Sequence, residues 1–414
     1  MIPGGANHVA EITGSRAYER FSGNQVTKIL KRLNDDETKK ETLNRVTLIS
    51  SGMASILAGR FCSIDWSDGS GMNLMDINRE SNGSWSEDML QVYSTLSDTA
   101  VTEWRRLLGD DPCKSWSSFG QIDPYFSSRF GLNPAAEVIA FSGDNPCTVA
   151  GLGLEDDGDV AVSLGTSTTL FAITESPRPS GEEGHVMRSP IGHSYMVMIC
   201  FKNGAIPRED VCKKLAGGDW NEFSRLLRLG RQESDDRRMV ITFALLDAEI
   251  TPSLPRGQGI ISFTNGKKYP FDKLSPSDAI LSLIEGQCLA LRNHAKTLGV
   301  GDRPRRLIVT GGASANLDIL QVLSDVFQSP VFVVQEQDDD EGSIGNGAAL
   351  GAAYRALHGV RIKDEEGLKG FREMVKGPSL KRVVKPDVKI RERYERLLDE
   401  YIALERQLIQ EART

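Results

Sequence analysis

Asp144 is the residue whose setting most plainly allows chemistry. The apolar run Val138-Ile139-Ala140-Phe141 predicts a strand that breaks at Ser142-Gly143-Asp144-Asn145-Pro146, and the small residues Cys147 to Gly151 predict a short helix after it. A carboxylate at such a junction points off a sheet edge near helix-end amides. Those amides favour its ionised form, which suits a base that takes a proton from an alcohol. The same spacing also serves a structural end, with Asp144 or Asn145 capping the helix and Pro146 at its first position. The two roles are compatible, because a capping residue can also face a substrate.

Two glycine turns follow. Asp159 to Leu164 and Leu170 to Ile173 read as the strands of a hairpin, and the tip Gly165-Thr166-Ser167-Thr168-Thr169 offers N–H groups and hydroxyls that can surround a phosphate. Leu307-Ile308-Val309 predicts another strand, followed by the turn Thr310-Gly311-Gly312-Ala313-Ser314-Ala315-Asn316, a helix from Leu317 to Phe327 and a strand over Pro330 to Val334. Without Cβ atoms, Gly311 and Gly312 let a flat ligand or a phosphate approach the backbone. Neither turn is a GxGxxG or Walker A loop, and such turns also occur for packing alone. Trp220, after Gly217-Gly218-Asp219, is expected on a flexible turn, where its ring can stack on a base or pack against its neighbours. Arg16 and Arg20, in a small-residue turn between apolar helices, can hold an anionic or hydroxylated ligand or form surface ion pairs.

The frame for these side chains is legible in outline. Val46 to Gly59 predicts a buried helix, and Asp65 to Gly71 a structured loop. That loop resembles a calcium loop only at its start, because no glutamate closes it. Trp85 to Leu108 reads as amphipathic helices stopping at Gly109-Asp110-Asp111-Pro112, and Tyr125 to Phe130 as a short helix. Tyr195 to Phe201 and Ile260 to Phe263 are expected strands, and Ser277 to Leu298 and Arg391 to Ala412 amphipathic helices. Gly342 to Ala353 predicts a glycine-rich helix. Each glycine costs a helix about 1 kcal/mol against alanine, so close contact with another helix or a nucleotide should compensate. Composition shifts near Asn133-Pro134-Ala135, which suggests domains over 1–134 and 135–414.

With 414 residues, 39% hydrophobic and 26% charged, the chain is long enough for about two to three domains with full cores. A net charge of −8 and no basic run with interleaved aromatics argue against a nucleic-acid partner. Six cysteines without a CxxC pair read as thiols of a reducing compartment, and five histidines without an HExxH pattern make a zinc site unexpected. Neither a leader nor a stretch long enough to span a membrane is evident, so the cytosol is the expected location.

Thr13-Gly14-Ser15-Arg16-Ala17-Tyr18-Glu19-Arg20-Phe21, Trp66 to Leu74, Gly143-Asp144-Asn145-Pro146, Val162 to Ser167, Cys200-Phe201-Lys202-Asn203-Gly204 and Thr310 to Ser314, in this order, resemble the FGGY family of carbohydrate kinases, and within it the xylulose kinases of eukaryotes. The resemblance covers nearly the whole chain. It implies an α/β, actin-like (ribonuclease H-like) fold of two lobes with sugar and ATP between them, and ATP-dependent phosphorylation of D-xylulose. By the same resemblance Asp144 is the base, and Asn145 and Arg20 hold sugar hydroxyls. Gly165 and Thr166 approach the phosphates, while Trp220, Gly311, Gly312 and Asn316 form the adenosine site. Mg2+ would bridge the phosphates. Members of the family open with a strand and an Asp-x-Gly-Thr type phosphate loop that this sequence does not contain. The expectation is therefore an incomplete first lobe, with binding without turnover, or a related kinase for another ketose or polyol, as the alternatives.

Overall fold

The computed structural model describes residues 4–33, 43–78, 80, 82–233, 239–335, 347–362, 371–375 and 377–413. The chain forms two compact units, neither of them contiguous. The first takes 1–155, 177–196 and 336–378, the second 156–176, 197–335 and 379–414. Residues 135–155, expected in the second domain, thus belong to the first unit.

The reason lies in two glycines. The helices Asp144–Gly151 and Gly347–Arg361 pack backbone to backbone. A Cβ on Gly351 would stand 1.7 Å from the Cys147 carbonyl oxygen, and one on Gly151 would stand 2.2 Å from that of Gly347. The close contact expected to offset glycine's helix cost is therefore made with a helix. Residues 342–346 of the predicted glycine-rich helix lie outside the described residues.

The first unit is mainly helical, with Gly5–Thr13, Ser22–Leu33, Ile49–Ala58, Glu87–Ser97, Val101–Leu108 and Pro124–Phe130 around buried Trp66, Tyr93 and Trp104. Ser118–Gln121 pairs antiparallel with Glu137–Ile139 ahead of Asp144. Two expectations fail here. Ile49–Ala58 is a helix but not a buried one, because only Ser51 and Ala54 are enclosed while Ile49 is 89% exposed. Asp65 to Gly71 is a capped helical turn: Asp65 Oδ2 accepts the Asp68 N–H at 3.3 Å, and Trp66–Gly69 runs into a 3-10 turn at Ser70–Met72. An Asp cap followed by small residues closes a tight turn as readily as it forms an open loop.

The second unit is built on a sheet. Its strands are β1 (Asp159–Leu164), β2 (Thr168–Thr174), β3 (Tyr195–Phe201, from Val197 onward in this unit), β4 (Arg306–Thr310), β5 (Val331–Val334) and β6 (Leu380–Val384), in the order β6-β5-β4-β1-β2-β3. β1 runs parallel to β4, and β4 to β5, while β1–β2 and β5–β6 are antiparallel. Val160, Val162, Leu170, Ala172, Leu307 and Ile308 are fully buried, as expected of strands covered on both faces. The long helix Pro276–Thr297 starts on the Ser275 hydroxyl, which accepts the Asp278 N–H at 3.1 Å, and presents Gly286 to the Thr242 backbone. Val240–Leu245, Gly259–Thr264 and Lys267–Tyr269 form a smaller antiparallel sheet. Its last hairpin turns on Asn265-Gly266, both at positive φ, a pair that favours the tight two-residue turn.

Candidate active site

In the second unit, strand pairing brings the two glycine turns together. Thr310 at the end of β4 stands opposite Ser163 near the end of parallel β1, so Gly311 abuts Leu164. Gly311 has φ 85°, and a Cβ there would lie 2.8–2.9 Å from the Leu164 backbone. Only glycine meets both conditions without strain. The β1–β2 hairpin leaves Gly165, Thr166 and Ser167 as its tip beside that turn.

These turns form one wall of a pocket of ≈ 790 Å³, lined by Gly165, Thr166, Trp220, Gly312 and Asn316 among others. A volume of this order holds a nucleotide-sized ligand. Gly311 sits immediately behind the wall, where its backbone shapes the turn. Trp220 is not on a flexible turn as expected but is the first residue of the helix Trp220–Glu233, with 43% of its surface exposed and Phe223 at 5.1 Å. Gly217 and Gly218, both at positive φ, end just before it and permit that entry. Asn316 caps Leu317–Phe327, its Oδ1 accepting from the N–H groups of Asp318 and Ile319 at 3.1 Å while Nδ2 donates to Ser224 Oγ at 2.9 Å. One amide hydrogen of Asn316 remains for a ligand.

In the first unit, Asp144 is exposed and opens its helix, with Gly143 at the cap position. Its Oδ1 accepts the Asn145 N–H at 2.9 Å, so the carboxylate sits over the helix N-terminus. The Asn145 side-chain amide has no partner among the described residues. The turn is tied down from beneath: fully buried Asp65 accepts hydrogen bonds from the Ser142 and Ser115 hydroxyls and lies 3.8 Å from Arg355. Arg355 in turn donates to the carbonyls of Ser115 at 2.9 Å and Ala140 at 3.3 Å. A buried aspartate is thus balanced by a buried arginine that also donates to backbone carbonyls.

Asp68 lies next to this turn. A Cβ on Gly143 would be 2.9 Å from its Oδ1, and Ser50 donates to its Oδ2. Burial pushes its carboxyl up to about 6 from 3.8, opposed by the Ser50 hydrogen bond and Arg355 and reinforced by Asp65 and Asp144. Because the native state binds this proton more tightly than the unfolded chain does, Asp68 stabilises nothing by ionising; stability falls as pH rises from about 4 through 6. A tenfold change in proton affinity is worth about 1.4 kcal/mol, so the penalty is on the order of 3 kcal/mol above pH 6. Asp68→Asn keeps an acceptor for Ser50 and should remove it. Denaturation midpoints of the variant and the parent should therefore diverge between pH 4 and 7, with the variant the more stable at pH 7. Parallel curves would refute the shift.

Arg20 sits elsewhere on the first unit. It donates to His185 Nε2 at 3.3 Å and lies over the Tyr18 and Phe21 rings at 4.9 and 5.5 Å. No carboxylate pairs with it among the described residues, so it is not a surface ion pair. Burial, with Arg20 and Arg16 nearby, lowers His185 to about 3. The ring is therefore neutral, and since arginine only donates, its proton lies on Nδ1 toward Ser15 Oγ at 3.0 Å. Arg20 thus has an ordered perch with donors to spare.

The structure gathers Gly165, Thr166, Trp220, Gly312 and Asn316 at one pocket, with Gly311 behind it, and sets Asp144 beside Asn145 on one helical turn. Arg20 has its own aromatic surroundings. Asp65 and Asp68, read from the sequence only as part of a structured loop, lie beneath Asp144 with Arg355, and Arg208, Ser224 and Arg228 line the pocket; none of the six has a role at the site in the sequence reading. The Asp65-x-x-Asp68 spacing was the available signal for the first group; nothing local marks the others.

Residues 160–360 match the C-terminal domain of the FGGY family of carbohydrate kinases. The xylulose kinase of Rattus norvegicus is 39% identical over 416 residues, covering 99% of this chain and 71% of that protein. The xylulose kinase of Mus musculus is 39% identical over 415 residues, covering 99% and 69%. The crystal structure of xylulose kinase from Rhodospirillum rubrum aligns with a TM-score of 0.75 at 16% identity, covering 99% of this chain and 76% of that one.

Proposed function

This chain belongs to the FGGY family of carbohydrate kinases, and on that premise we propose that it transfers the γ-phosphoryl group of ATP to D-xylulose, forming D-xylulose 5-phosphate and ADP. One observation carries the reading: a nucleotide-sized pocket walled by two glycine turns accompanies an exposed carboxylate at a helix start, in a chain 39% identical to xylulose kinases.

Asp144 takes the proton from the terminal hydroxyl of the ketose as that oxygen attacks the γ-phosphorus and ADP leaves. Asn145, with its unengaged amide, and Arg20, with its spare guanidinium hydrogens, hold sugar hydroxyls. Gly165 and Thr166 receive the phosphates through backbone N–H groups and the exposed Thr166 hydroxyl. Trp220 stacks on the base, Gly312 admits the nucleoside to the turn shaped by Gly311, and Asn316 contributes its free amide hydrogen. The first unit is then the sugar side and the second the nucleotide side.

Among the described residues no group of three Asp, Glu, His or Cys side chains forms a metal cage. Magnesium would arrive on the nucleotide, since that ion takes few protein ligands and keeps the substrate's phosphates. When bound, it neutralises phosphate charge. No described helix is long and apolar enough to cross a membrane. We place the protein in the cytoplasm, a location supported by its six free cysteines.

The test is ADP release from the purified chain with ATP, Mg2+ and a panel of D-xylulose, D-ribulose, D-fructose and glycerol. D-xylulose should give the highest kcat/KM. A higher value for another acceptor overturns the substrate, and binding of ATP and D-xylulose without ADP release overturns the activity.

A further inference from the structure

Arg208 stands out in the second unit as a buried cation without a counter-charge. It belongs to the first turn of the helix Ala205–Leu215 and is 3% exposed. Its Nη1 donates to Gln287 Oε1 at 3.0 Å and its Nη2 to the Gly165 carbonyl oxygen at 3.4 Å. Among the described residues no carboxylate is ion-paired with it; burial lowers its proton affinity, opposed only by the more distant influence of Cys288 and Glu209. The other arginine of the pocket lining, Arg228, is neutralised by Asp318.

The neighbourhood is built to hold this guanidinium still. Gln287 Nε2 donates to the carbonyls of Asn203 and Gly204, both at 2.9 Å, and Ala205 N–H reaches the carbonyls of Gly165 and Thr166 at 3.2 and 3.0 Å. Gly204 lies so close to the hairpin that a Cβ would stand 2.6 Å from the Thr166 carbonyl oxygen. The hairpin carbonyls are thereby engaged by the helix and do not confront an anion. Desolvating a charge without a partner is costly unless a ligand supplies the opposite charge. Arg208 lines the same pocket as Gly165 and Thr166.

We propose that Arg208 is the residue that favours nucleoside polyphosphates over nucleosides in this pocket, supplying positive charge at the phosphate hairpin while bracing Gly165. The proposal rests on the nucleotide reading of the pocket and deepens it. A buried guanidinium locked in place before the ligand arrives loses little freedom on binding, and its charge is weakly screened.

The experiment is calorimetric titration of the full chain with ATP, ADP and adenosine. Arg208→Gln should weaken ATP and ADP at least twentyfold and change adenosine less than twofold. Equal losses for all three would reduce Arg208 to a brace and overturn the proposal, as would unchanged affinities. Arg208→Lys adds a second measurement should the glutamine variant not fold. A lysine there carries a titratable charge lowered by burial, so its ADP-to-adenosine affinity ratio should fall between pH 8 and 10 while that of the parent stays level; a flat ratio in the variant overturns the proposal. A parent chain that binds none of the three ligands refutes the nucleotide pocket itself, whereas a parent that binds them with a ratio insensitive to residue 208 refutes only the role of Arg208.

Discussion

Asp144→Asn is expected to lower kcat for phosphotransfer to D-xylulose by on the order of a thousandfold, the range in which a general base contributes. ADP affinity should stay within a factor of two. The substitution is close to isosteric, and its side-chain oxygen can still accept the Asn145 N–H that Asp144 accepts at 2.9 Å. The turn is also held by contacts that do not involve this side chain, from Ser142 to Asp65 and from Arg355 to Ala140. What is lost is the capacity to take a proton. A kcat within tenfold of the parent, with an unchanged melting temperature, would remove Asp144 from the role of base.

Gly351→Ala should destabilise the first unit by about 3 kcal/mol or more, at or above the usual cost of overpacking. Helix propensity alone predicts the opposite sign, a gain of about 1 kcal/mol. Sterics decide, because the new methyl would fall 1.7 Å from the Cys147 carbonyl oxygen and 2.6 Å from the Gly151 nitrogen, both backbone atoms that cannot rotate away. Gly347→Ala, in the same helix but with nothing within 4 Å, is the control and should be neutral within about 0.5 kcal/mol. Urea denaturation followed by a probe in the first unit measures both. If the two substitutions have equal effects, the helix contact that carries Asp144 is not as close as described.

Sugar turnover should suffer along with stability. The Asp144–Gly151 helix rests on the Gly347–Arg361 helix, and that second helix also supplies Arg355 beneath the turn. A shift of one helix against the other would move Asp144 relative to its supports. Misplacement on the order of 1 Å can cost on the order of a hundredfold in rate.

Local patterns disclosed much of this protein. The strand, turn and helix around Asp144, the Gly165 hairpin and the Gly311 turn are read from residues close together in the chain, and the structure has all of them. The α/β, actin-like fold implied by the family resemblance is the one shared with the aligned xylulose kinase structure. Other signals were present but weak. Asn265-Gly266 marks a hairpin that the apolar pattern did not reveal, and Ile49, Met53 and Ile56 gave a helix an apolar look that does not correspond to burial. Trp220 followed two glycines and suggested a loose turn, yet it begins a helix.

Sequence alone therefore picked out candidates for chemistry and the local shape around Asp144, Gly165 and Gly311, because a glycine turn or a helix start is decided by φ, ψ and hydrogen bonds within a few residues. Tertiary structure decided the company those residues keep. Parallel pairing of β1 with β4 joins Gly165 to Gly311 across 146 residues, and the glycine contact of two helices brings Arg355 under Asp144 across 211. Such meetings follow from strand order and close packing, which depend on surfaces far apart in the chain and leave no trace in the spacing of neighbours.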